Sequence, residues 1–238
     1  MFISSRPHTF RQLREVPHTT SPFIAKQWKD VEYSHYVQAF HRHMREAGML
    51  PRDFICDVSR NTLAMIFCVT VDPPYQRKPK NCDFVFGFQT GQGTGKNLAG
   101  LCGVKVHDHE GIIIPLRTVG LVDNRKMRGS SLDDLVKEGL YRWRVACGRA
   151  YYQVKKLKET KIDAVRASDL LERANRLKIS TVRQVREIRR DFLFVKTNSL
   201  FELLVAFYKE TCYDTRDAFI QIQRTLLFQE LKPFPRVI

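Results

Sequence analysis

The sequence predicts an α+β fold, an antiparallel β-meander of about four strands followed by a helical half. Three observations carry this. Between residues 61 and 121, apolar and β-branched runs of seven to eleven residues alternate with turns bearing Gly, Pro and Asp. After Ser131 the apolar residues switch to intervals of three and four and keep them to about Lys161. No internal repeat or low-complexity segment interrupts the chain.

Residues 1–33 hold three prolines and no sustained period, and read as an N-terminal arm. Tyr36, Val37, Phe40 and Met44 recur at helical spacing, so a helix is predicted over Ser34–Ala47, capped by Ser34 and ended by Gly48. Asp53–Val58 reads as a short strand. Asn61–Val71 is a strand that stops at Asp72-Pro73-Pro74, and a basic, proline-rich loop follows to Asn81. In Asp83–Gln89 the alternation of Phe84, Phe86 and Phe88 places the three rings on one sheet face, expected to pack under the helices. Leu98–Val106 and Ile112–Leu121 are the next strands, joined by short turns that favour antiparallel pairing.

Ser131-x-x-Asp134 then opens a long helix as a capping-box variant. Its inward side carries Leu135, Leu140, Trp143, Cys147, Ala150 and Val154. Its opposite side carries Lys137, Arg142, Arg144, Arg149, Lys155, Lys156 and Lys158. Further helices are predicted over Ser168–Lys178, from the Ser180-Thr181 cap onward, and near 199–212 and 215–231. Residues 34–238 thus form a single domain, with the meander at about 53–122 and the helices at about 130–231.

Composition narrows the function. The chain has 238 residues, 43% of them hydrophobic, enough to bury a core. Lys and Arg number 40 against 25 Asp and Glu, a formal charge of +15, which favours an anionic partner. No apolar run approaches the ~20 residues of a membrane span, and the stretch MFISSRPHTFRQLRE lacks the apolar core of a signal peptide. The six cysteines include no C-x-x-C pair, which argues against zinc ribbons and fits a reducing cytoplasm.

The stretch GFQTGQGTGKNLAG resembles a phosphate loop but fails its register. Counting back from Gly95-Lys96 places Thr90 where the first glycine belongs, and Asn97 replaces the magnesium-binding hydroxyl. In the dinucleotide pattern Gly91 and Gly93 fit, but Lys96 occupies the third glycine position. Both motifs need a helix next, and Leu98–Val106 reads as a strand. The stretch is a glycine-rich turn with a lysine at its tip, and no nucleotide cofactor is expected.

Several constellations compete for a function. His107-Asp108-His109-Glu110 offers metal-ligand types in a turn, but no further ligand is placed by spacing. His35, His41 and His43 read as surface histidines of the first helix. No carboxylate grouping marks a nuclease and no nucleophile–base spacing marks covalent catalysis, so enzymatic activity lacks support. The basic clusters are stronger. From Ser131 to Lys196 there are 17 Lys/Arg against 9 Asp/Glu. Arg183, Arg186, Arg189 and Arg190 lie on the outer side of one helix. Arg77, Lys78 and Lys80, Lys96, and Arg125, Lys126 and Arg128 lie in loops beside strands, where side chains can hold phosphates. Tyr75, in the first of these loops, is the candidate for base stacking.

The order of these elements, the turn Thr90–Gly95, the strand Leu101-Cys-Gly-Val104 and the late run from Asn198-Ser-Leu-Phe201 to Thr211 resemble the phage/plasmid-like domain family of bacterial mobile elements. The similarity covers about residues 34–230. That family carries no assigned activity. Its meander and long helix are similar to the core of single-strand annealing recombinases, which implies single-stranded DNA binding along a basic groove and assembly into rings or filaments. The expectation is therefore a cytoplasmic, homo-oligomeric nucleic-acid-binding protein of a phage or plasmid, annealing single strands without hydrolysis. The alternatives are a metal-dependent DNA-processing or anti-restriction enzyme, acting through Asp108, Glu110 and the histidines, and an interaction module for an acidic partner.

Overall fold

A computed structural model describes residues 33–58, 64–73, 77–91, 98–109, 112–122, 132–194, 199–214, 218–231 and 233–234. Helix α1 (Tyr33–Glu46) precedes a meander of β1 (Leu50–Val58), β2 (Ala64–Asp72), β3 (Cys82–Gly91), β4 (Leu98–Val106) and β5 (Ile112–Val122). Helices α2 (Leu132–Glu159), α3 (Ala164–Arg176), α4 (Val182–Phe194), α5 (Leu200–Asp214) and α6 (Ala218–Glu230) follow. The strands pair antiparallel in sequence order. The fold is α+β as predicted, with five strands where about four were expected.

The fifth is the edge strand β1: the short strand expected at Asp53–Val58 does join the sheet, and it extends back to Leu50. Pro51 and the charged Arg52 and Asp53 obscure it in the sequence. At a sheet edge a missing N–H is tolerated, and the register slips between Arg52 and Ile55, with Asp53 at φ 47°.

One sheet face is covered by α1 and α2. Phe84, Phe86 and Phe88 lie buried on it, as their alternation predicted. Phe40 of α1 sits 4.9 Å from Phe86 and 4.8 Å from Phe88. Trp143 of α2 meets Phe86 edge-on at 5.8 Å, and its Nε1 donates to the Val85 carbonyl at 3.2 Å. The opposite face carries Cys68, Val85, Leu101 and Ile113, joined by Ile222 and Leu226 of α6.

Local rules account for the helix boundaries. Helix α3 starts at Ala164, earlier than the expected Ser168, because Asp163 accepts from the Arg166 N–H at 2.8 Å. Ahead of α4, Thr181 and Gln184 bond each other's backbone N–H, at 2.8 and 3.2 Å, in a capping box. Ser199 caps α5 through the Glu202 N–H at 3.2 Å. Helix α6 runs beside β5, where Gln229 donates to the Pro115 carbonyl at 2.8 Å and accepts from Gln153 of α2 at 3.1 Å. That link ties the end of the helical half back to the meander. Among the described residues no helix is long and apolar enough to cross a membrane.

Candidate nucleic-acid interface

The loop entering β3 shows how position changes the meaning of a basic residue. Arg77 and Lys80 are exposed and have no carboxylate partner among the described residues. Lys78 differs: its ammonium is ion-paired with Asp72 and lies 3.2 Å from Asp83. Arg52 reaches the same two carboxylates at 2.9 and 3.6 Å, and His107 meets Asp83 at 3.0 Å. Burial alone would raise the Asp83 carboxyl. The hydrogen bonds from His107 and Lys78 outweigh it and hold Asp83 below the usual carboxylate range. Burial also works against the Lys78 charge, and its bonds to Asp72 and Asp83 outweigh it and raise its pKa. Lys78 is therefore matched in place, and a phosphate would have to displace two carboxylates to reach it.

The arginines of α4 divide in the same way. Arg189 bonds Glu172 at 2.6 Å and so joins α4 to α3, while Arg190 pairs with Glu187 at 2.6 Å. Arg183 and Arg186 are exposed and have no carboxylate partner among the described residues. Tyr75, Lys96, Arg125, Lys126 and Arg128, also expected at the interface, lie outside the described residues.

Of the histidines, His43 departs from expectation. Residues 107–109 form a 3₁₀ turn in which His107 bonds Asp83 and His109 meets Glu202 at 3.3 Å, so the two rings serve different carboxylates. Among the described residues no group of three or more His, Cys, Asp or Glu is arranged to hold a metal. His43, expected at the surface, is buried. Its Nδ1 lies 2.7 Å from Glu46 and its Nε2 2.8 Å from Asp133 at the start of α2. A carboxylate faces each ring nitrogen, so only the doubly protonated imidazolium donates to both. The hydrogen bond with His43, together with the charge of Arg42, holds the Asp133 carboxyl below its usual range. This clamp fixes α1 to α2. The partner, 90 residues away, is what helical spacing could not supply. His43→Ala is expected to lower stability by about 1–2 kcal/mol, since both carboxylates keep solvent access, and a denaturant titration reads this directly.

The described thiols are buried: Cys56, Cys68, Cys82, Cys102 and Cys147. Burial pushes the Cys68 thiol up to about 12 and raises Cys147 as well, the opposite of an activated nucleophile. A cleft of about 310 Å³ between α3 and α4 is lined mainly by Ala164, Val165, Ala167, Leu171 and Phe192. Its walls are apolar, with the Arg189 side chain among them.

A further basic surface is the outward side of α2. From Gly139 to Lys158 this helix has six Lys/Arg and no Asp/Glu. Lys137, Arg149 and Lys156 are exposed and have no carboxylate partner among the described residues. Arg142 is held by Glu138 at 2.6 Å, and Lys155 lies 3.9 Å from Glu159. At the far end Lys158 turns inward, donating to the Lys80 carbonyl at 2.6 Å over the Phe201 ring. The 77–80 loop therefore adjoins the C-terminal end of α2. Tyr141 and Tyr152 stand on the same side, 65% and 69% exposed. The sequence pattern placed the cations on this side. The exposure of the two tyrosines is a finding of the structure, although their eleven-residue spacing, three helical turns plus about 20°, puts them on one side.

No protein-family model, no curated protein and no solved structure matches the chain.

Proposed function

We propose that this chain binds nucleic acid without hydrolysing nucleotide, that single-stranded DNA is its substrate, and that it acts as a homo-oligomer able to anneal strands. The phage or plasmid setting and the cytoplasmic location belong to the same reading and rest on the sequence resemblance and the cysteine pattern. The observation that carries the binding reading is the outward side of α2. A formal charge of +15 leaves cations in excess of carboxylates but does not say where they lie. Lys78, Arg189 and Arg190 have carboxylate partners, whereas Lys137, Arg149 and Lys156, spaced along one helix, are exposed and have none among the described residues. Cations left in this state release counterions when they meet a phosphate backbone, and that release drives binding.

A salt titration of affinity for a labelled oligothymidylate tests it. Binding is expected to weaken steeply with salt. Replacing Lys137, Arg149 and Lys156 by Gln is expected to reduce the slope of log K against log salt by about 2, near 0.7 for each contact, with the melting temperature unchanged. A chain with no affinity for DNA at low salt would overturn the reading and leave an acidic protein as the partner of this surface.

A further inference from the structure

Helix α2 carries a feature that neither its packing nor its charge explains. Gly148 sits in the middle of the 28-residue helix, where glycine is costly because it surrenders the most backbone freedom. Interior glycines are commonly kept because another segment packs too closely for a side chain. That is not so here: a Cβ built at Gly148 meets nothing within 4 Å. Among the other glycines, Gly103 is kept by contact, since its Cβ would lie 2.6 Å from the Ile114 carbonyl oxygen. The space over Gly148 is open, and it lies between two exposed tyrosines.

At 100° per residue, Tyr141, Gly148 and Tyr152 fall within about 40° of one another around the helix axis. Lys137 flanks this line on one side, and Arg149 and Lys156 on the other. The tyrosines are about 16 Å apart along the axis, at 1.5 Å per residue. Tyr152 is braced edge-on by the half-buried Tyr151, with ring centroids 5.2 Å apart and planes at 81°, so its exposed ring has a fixed neighbour. The result is an aromatic line with a gap at its centre, Lys137 on one border, and Arg149 and Lys156 on the other together with Glu138, which is paired with Arg142.

We propose that this line is a base-stacking platform for single-stranded nucleic acid. Unpaired bases stack on Tyr141 and Tyr152. Phosphates lie against Lys137, Arg149 and Lys156. The bare backbone at Gly148 lets the strand approach the helix between the two rings. The proposal rests on the nucleic-acid reading above and adds the aromatic part of the site and a physical basis for the single-strand preference. A duplex keeps its bases stacked on each other and has none to offer the rings, so the rings favour single strands while the cations serve either form.

The test measures fluorescence anisotropy of a labelled oligothymidylate and of a labelled duplex of equal length, at two salt concentrations. The double variant Tyr141→Ala/Tyr152→Ala is expected to lose roughly ten- to a hundredfold in single-strand affinity, with the salt slope and duplex affinity unchanged. The double variant Tyr141→Phe/Tyr152→Phe, which keeps the rings, is expected to bind like the parent chain. Gly148→Leu fills the gap with a good helix former. It is expected to raise the melting temperature and still weaken single-strand binding, which separates a blocked site from a damaged fold. Unchanged single-strand affinity in the Ala double variant, or equal losses for single strand and duplex, would overturn the platform. If the Gln variants of the three cations still weakened binding, the broader function would survive that result. A parent chain that binds no DNA at low salt would remove both.

Discussion

Trp143→Ala is expected to cost about 3–5 kcal/mol, the largest loss from any single truncation in this fold. Trp143 is fully buried where α2 crosses the sheet, edge-on to Phe86 and hydrogen-bonded to the Val85 carbonyl at 3.2 Å. Phe86 is in turn held by Phe40 of α1. The indole thus reaches Phe40 of α1 by way of Phe86 on the middle strand, and its removal opens a cavity where α1, β3 and α2 meet. Trp143→Phe should keep most of the volume and lose the N–H donor, for about 1–2 kcal/mol. The denaturant midpoint measures both. A loss below about 1.5 kcal/mol for the Ala variant would mean that the junction collapses onto the gap and that Trp143 is not its keystone.

Gly103→Val is expected to follow, at about 3 kcal/mol or slightly more. Gly103 pairs with Pro115 at an irregularity of the β4–β5 ladder, where the register shifts between Cys102 and Gly103. A Cβ there would sit 2.6 Å from the Ile114 carbonyl oxygen and 3.4 Å from the Pro115 Cα. Both obstacles are backbone and cannot rotate away. The clash can be relieved only by spreading β4 from β5, which also disturbs the Pro115 carbonyl that holds Gln229 of α6. Thermal unfolding of the variant checks this. A melting temperature equal to that of the parent chain would show that the ladder is looser at this point than its spacing implies.

Much of the fold was legible because it is written in local period. The alternation of Phe84, Phe86 and Phe88, the long spacing from Leu135 to Leu157 and the Thr181 cap each state which side faces the core. Two elements were harder to read. Strand β1 begins with Pro51-Arg52-Asp53, a composition that disfavours a central strand and suits only an edge with a bulge. Helix α3 begins before its apolar stripe does, because its exposed first turn follows from the Asp163 cap and helix-forming residues. In both, a neighbour or a cap set the boundary and hydrophobicity did not.

The candidate site was less legible. Arg189 and Arg190 stand one helical turn after Arg186, and Lys78 next to Arg77, so charge counting treats them alike. His43 looks like any polar residue two positions from His41. What distinguishes them is a carboxylate reached through space: Glu172 for Arg189, Asp72 and Asp83 for Lys78, Asp133 for His43.

The sequence by itself determined the class of the fold, the order and facing of its elements and the sign of its surface. Those depend on side-chain periods of two and about 3.6 and on a sum of charges, and neither needs a partner. The tertiary structure alone decided which cations remain available to a ligand and that Gly148 has open space above it. Charge neutralisation and free volume depend on distances between residues far apart in the chain, and only the folded packing sets those distances.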